Sequence, residues 1–128
     1  MKPMDKIKVY KVDDAPGMET GEGVMRPFLF TDNVSLIHLE IPKGLRINPH
    51  AHSRQGLLYC LNGKLEVFSG SERFIITGGT AVVVSPNTAI GINNNSSGSA
   101  KCLLISSPPL FRSAEELGER LRQIKAEK

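Results

Sequence analysis

From Val24 to Ser106 the chain is a succession of short β-branched or aliphatic runs, each bounded by turn residues, and this pattern most constrains what it can fold into. Val24–Thr31, Val34–Ile41, Arg46–His52, Leu57–Leu61, Lys64–Ser69, Arg73–Thr77, Ala81–Val84, Ala89–Asn93 and Lys101–Ser106 read as strands, with an earlier run at Ile7–Tyr10. Asn62-Gly63 is a two-residue hairpin signal, because both central positions tolerate positive φ. Ser69-Gly70-Ser71 and residues 94–99 have the composition of further hairpin tips. Pro42-Lys43-Gly44, Gly78-Gly79 and Ser85-Pro86-Asn87 read as corners. Closely spaced strands of this kind predict an all-β sandwich or barrel.

Pro108-Pro109 ends the β region, since proline cannot continue a ladder. Ser113-Ala-Glu-Glu116 is a capping box, and Leu117, Leu121 and Ile124 follow on one helical face. One C-terminal helix over about 113–126 is therefore expected, after a β region of about 24–107. At 128 residues the whole chain, 1–128, reads as a single domain.

Composition narrows the function classes. A net charge of +3, with basic residues near the C-terminus interleaved with Glu115, Glu116, Glu119 and Glu127, is a solvated helix face and not a nucleic-acid footprint. No apolar run reaches membrane-spanning length, and no signal-peptide core opens the chain, so a cytoplasmic protein is expected. Cys60 and Cys102 lie in apolar strand-like runs; buried reduced thiols and a disulfide between them both remain open.

Chemistry concentrates at His50-Ala-His52. On a strand this spacing places both imidazoles on one face, which is the start of a transition-metal site. The spacing Gly44, His50-x-His52, Gly56, Gly63 resembles the first motif of the cupin family, and the resemblance spans roughly residues 30–107. It implies a double-stranded β-helix, or jelly-roll, barrel. It also implies a metal site, but the position of its glutamate ligand is occupied by Gly56. In the second motif, beginning at Gly79, the proline position falls on Ser85 and the glycine on Asn87. The histidine ligand falls on Ile90, and the asparagine is kept as Asn94.

Two of four family ligands are thus missing. Catalytic sites of this general type use about three or more protein ligands, commonly with a carboxylate. Two imidazoles without an anion bind Zn, Mn, Fe or Ni weakly and with little selectivity. Strand alternation predicts Arg46, Asn48, His50 and His52 on one wall, with Gln55 nearby in the loop. Such a wall would suit a carboxylate or phosphate, because arginine offers a fixed donor fork. His38 is expected to face away from the core.

The first reading is accordingly a small-molecule-binding cupin without the usual catalytic metal. The second is a metal-dependent cupin enzyme of the oxygenase or isomerase type, with His50 and His52 in a non-standard ligand set. A purely structural barrel is the third, and it explains the histidines least. Leu57, Tyr59 and Leu61 give one strand a second apolar face, which predicts a homodimer.

Overall fold

The computed structural model describes residues 6–109, 111 and 113–126, with side chains as far as Arg120 along the terminal helix. Ten strands form: β1 (Met18–Thr20), β2 (Gly23–Phe30), β3 (Ser35–Ile41), β4 (Arg46–His50), β5 (Gly56–Asn62), β6 (Lys64–Ser69), β7 (Glu72–Thr77), β8 (Thr80–Val84), β9 (Ile90–Asn93) and β10 (Ala100–Ser106). Helix α1 (Ala114–Ala126) follows. The strands make a six-stranded sheet, ordered β1-β2-β3-β10-β5-β8, and a four-stranded sheet, ordered β4-β9-β6-β7. The expected closed barrel is not formed. The two sheets remain open at their edges, as a jelly-roll sandwich.

Alternation builds the core between the sheets. Ile37, Leu39 and Ile41 point inward from β3, Leu58 and Cys60 from β5, Leu65 and Val67 from β6, and Ile92 from β9. All eight are buried, which removes their apolar surface from water. Cys60 and Cys102 stand opposite one another across β5 and β10 as free, buried thiols. Burial raises the pKa of both, Cys102 to about 12.

From β3 onward the chain changes sheet at every connection except β6–β7. This overturns the hairpin reading of Asn62-Gly63, since β5 and β6 lie in different sheets. Gly63 does adopt φ 93°, but to turn a corner: a Cβ there would run into Ala100. Residues 94–99 likewise cross between sheets and do not close a hairpin. The Ser69-Gly70-Ser71 hairpin forms, with Ser69 opposite Glu72. The Ile7–Tyr10 run belongs to no strand.

Helix α1 begins as the capping box predicts, with the Glu116 N–H donating to Ser113 Oγ at 3.1 Å. Leu117 is buried against the sandwich. Leu121 and Ile124 fall outside the residues whose side chains are described.

Candidate functional site

Strand β4 carries the histidines to the open end of the sandwich, and a β-bulge decides which way they point. Ile47 is opposite Ile92, but His50 is opposite Ile90, one residue out of step. Opposed residues share a face. His50 therefore shares the inner face of Ile90, Ile92 and Ile47, although Ile47 and His50 are an odd number of residues apart. The extra residue sits around Pro49, which has no N–H for a ladder to lose.

The bulge divides the expected wall. Arg46 is opposite Asn93, on the outer face of the four-stranded sheet. Its Nε donates to Asn48 Oδ1 at 3.3 Å and its Nη1 to Asn93 Oδ1 at 3.4 Å. Its guanidinium lies 4.7 Å from the centre of the Phe68 ring, which Arg73 also approaches at 5.3 Å. Arg46 and Asn48 are thus turned away from the histidines, and one cavity wall of all four is not formed. Gln55 is exposed on the loop before β5.

His50 and His52 do come together, with ring centroids 5.1 Å apart and planes at 88°. The His52 carbonyl accepts the Asn87 N–H at 2.7 Å, and Asn87 takes a left-handed φ of 63°, the conformation expected where asparagine replaces glycine. Two residues further along the same loop, Arg54 Nη1 donates to the Pro109 carbonyl at 2.7 Å. These bonds tie the loop to the β8–β9 connection and to the segment that follows β10.

The residue that sequence reasoning missed is Glu22. Its Oε1 lies 3.0 Å from His50 Nε2. Glu22 is at the tip between β1 and β2, where Thr20 Oγ1 accepts the Glu22 N–H at 3.0 Å and donates to the Gly23 carbonyl at 2.8 Å. The Gly21-Glu22-Gly23 sequence is a turn signal, but nothing local says which surface the tip meets.

The tautomer follows from the partners. His50 Nδ1 is 3.0 Å from the Asn48 carbonyl, which can only accept, so Nδ1 carries a hydrogen. Nε2 then favours a second proton to meet the Glu22 carboxylate. The hydrogen bond to Glu22, helped by the Asn48 carbonyl, pushes the His50 pKa up to about 9 against the opposing effect of burial. His52 goes the other way. Its surface is exposed, yet enough protein surrounds the ring for desolvation to lower its pKa, and the His50 charge adds to this.

Replacing Glu22 with Gln should lower the His50 pKa from about 9 toward the ordinary histidine range, read from its ring-proton NMR titration. An unmoved pKa would remove Glu22 as the cause. The folded pKa lies above the unfolded value of 6.5, so the pair's stabilisation is fully present below that value. It is lost as the pH rises through about 9.

The donor set does not fit a resident transition metal as it stands. Among the described residues no group of three or more His, Cys, Asp or Glu could hold a metal ion. Gly56 and Ile90 supply no donor. Gly56 is on the inner face of β5 with open space where a side chain would go. His38 is elsewhere, opposite Arg26 and Leu103 on the outer face of the six-stranded sheet. It is buried with Nδ1 unpartnered, and desolvation, then Lys101 and Arg26, lower its pKa. Asn94 is structural, bonding Ile41, Ser96 and Gly98.

Two antiparallel sheets, between which the chain crosses at nearly every connection from β3 onward, define the jelly-roll class. The chain belongs to the cupin family, whose cupin-domain model matches residues 37–106. Solved structures agree in fold. An RmlC-like cupin from Shewanella frigidimarina superposes with a TM-score of 0.70 at 17% identity, covering 86% of this chain and 96% of that one. The polyketide cyclase RemF from Streptomyces resistomycificus gives 0.70 at 18%, covering 86% and 89%. KdgF from a Halomonas species gives 0.71 at 19%, covering 80% and 95%. No curated protein sequence matches significantly. No helix among the described residues is long and apolar enough to cross a membrane.

Proposed function

We propose that this cupin binds a small molecule at the open end of its sandwich, without a resident catalytic metal. The observation that carries this reading is the Glu22–His50 contact. The nitrogen a metal would take is occupied by a proton facing a carboxylate 3.0 Å away. Beside it, with ring centroids 5.1 Å apart, His52 presents an imidazole whose pKa is lowered, and a neutral imidazole carries one donor and one acceptor nitrogen. Ile90 and the inner face below them are apolar. A ligand with a polar, carboxylate-like end and an apolar body matches that arrangement. The polyketide cyclase and KdgF among the structural relatives are consistent with small-molecule chemistry on this fold, though fold alone does not choose a reaction.

The second reading is a metal-dependent enzyme, and one observation favours it: Glu22 supplies the anion that Gly56 lacks. Elemental mass spectrometry on protein purified without a His-tag separates the two. The first reading expects substoichiometric Zn, Mn, Fe and Ni, and a melting temperature that rises with small carboxylates in wild type but not in His52→Ala. One equivalent of metal, lost in Glu22→Gln, would replace it with the second.

A further inference from the structure

The Glu22–His50 pair does more than set a tautomer, because it also spans the two sheets. Glu22 comes from the tip between β1 and β2 of the six-stranded sheet, and His50 ends β4 of the four-stranded sheet. Among the described residues no other hydrogen bond or ion pair joins that tip to the four-stranded sheet. The tip itself is lightly held. β1 is an edge strand of three residues, paired only with β2. Gly23 fixes one end of the turn against the Glu40 carbonyl, where a Cβ would not fit, but a Cβ at Gly21 would meet nothing within 4 Å.

The pair is also partly open to solvent, with 42% of the His50 side chain and 31% of the Glu22 side chain exposed. Exposed ion pairs are weak, since each partner is nearly as well off with water or with another ion of the right sign. The carboxylate 3.0 Å from Nε2 is therefore held in place and not locked there. Chemically, Glu22 presents a carboxylate on an aliphatic stem, which is the class of group proposed for a ligand of the same site.

We propose that Glu22 is an internal stand-in for the ligand: in the empty protein it occupies the carboxylate position on His50, and a ligand carboxylate takes its place and releases the β1–β2 tip. This rests on the carboxylate-binding reading of the histidine pair. It makes Glu22 a specificity residue. A tethered carboxylate is always present, so an incoming one must bring contacts that Glu22 lacks, to His52 and to the apolar surface at Ile90. A neutral ligand gains too little to displace it, because the Glu22 carboxylate would lose its charged partner and no charge would replace it on His50.

Hexanoate, a carboxylate with an apolar body, is the probe, and hexanamide its neutral counterpart. At pH 6 an imidazole of ordinary pKa is still mostly charged, so Glu22→Gln removes the competitor and keeps the His50 charge. Calorimetry at that pH should show hexanoate binding Glu22→Gln about fivefold tighter than wild type, the factor an exposed ion pair is worth. Glu22→Ala should behave alike, which guards against a fault peculiar to one variant. Hydrogen exchange of wild type should quicken across residues 18–25 when hexanoate is added, and stay unchanged with hexanamide. Equal or weaker hexanoate binding by the variants, or a tip whose exchange hexanoate does not quicken, would overturn the proposal and leave the carboxylate site standing. Hexanoate binding to neither wild type nor the variants would overturn the site and the proposal together.

Discussion

Gly56→Glu combined with Ile90→His is expected to convert this protein into a tight divalent-metal binder. Ile90 is directly opposite His50, so a histidine there sets a third imidazole beside the first two. A side chain at Gly56 meets nothing within 4 Å and starts from the inner face, where a glutamate adds the missing anion. Four-ligand zinc sites are worth about 10–16 kcal/mol, or roughly 3–4 kcal/mol per donor. If half of the gain from two donors survives the costs of desolvation and imperfect orientation, about 3–4 kcal/mol remains and affinity rises by roughly a hundred- to several hundredfold. Without metal, the double variant should be less stable than wild type, because a half-buried carboxylate gains no partner. Zn²⁺ or Mn²⁺ should restore and then exceed wild-type melting, since a ligand that binds only the folded state stabilises it. Metal must displace the Nε2 proton of His50, so affinity should fall as the pH is lowered. Calorimetry and thermal melts provide the measurements. A wild type that binds metal as tightly as the double variant would show that Glu22 already completes a site.

Asn94→Ala is expected to be the most damaging single substitution away from the hydrophobic core. Asn94 is fully buried and polar. Its Nδ2 donates to the Ile41 carbonyl at 2.9 Å and to the Gly98 carbonyl at 3.0 Å. Its Oδ1 accepts from the Ser96 N–H at 3.1 Å and from Ser96 Oγ at 2.6 Å. Its backbone bonds Leu45 and Gly44, so one residue ties together the end of β3, the start of β4 and the loop into β10. Alanine leaves buried groups without these partners, at a cost of about 3 kcal/mol. For a chain of this size that lowers the melting temperature by roughly 10 °C. A denaturant midpoint within error of wild type would mean that water replaces the amide.

The strands were legible because β-branched runs and turn residues are local signals. Lys64–Ser69 is reproduced to the residue, and β3, β5, β7, β8, β9 and β10 to within a residue at either end. Sheet membership was not legible at Gly63, because positive φ serves a tight hairpin and a corner between sheets equally well. The histidine pair was found by spacing, and so was its neighbour Ile90. The direction of Arg46 and Asn48 was not, because alternation is a rule about unbroken ladders and the bulge is set by pairing with β9. Glu22 was out of reach for another reason. It precedes His50 by 28 residues, and their meeting depends on how the β1–β2 tip packs against the far sheet.

The bulge at Pro49 also sets how this strand can diverge. Upstream of it, Arg46 and Asn48 face the solvent side of the four-stranded sheet; downstream, His50 faces inward. Residues on the solvent side can change without moving the imidazoles. Closing the bulge without losing a residue would turn the site inside out, because a shift of one reverses every side chain that follows, whereas deleting the extra residue would straighten the ladder and leave His50 opposite Ile90. The length of this stretch and the register of its ladder are thus coupled, and related proteins that share the site should keep the position of His50 opposite that of Ile90, either with the bulge or with one residue fewer.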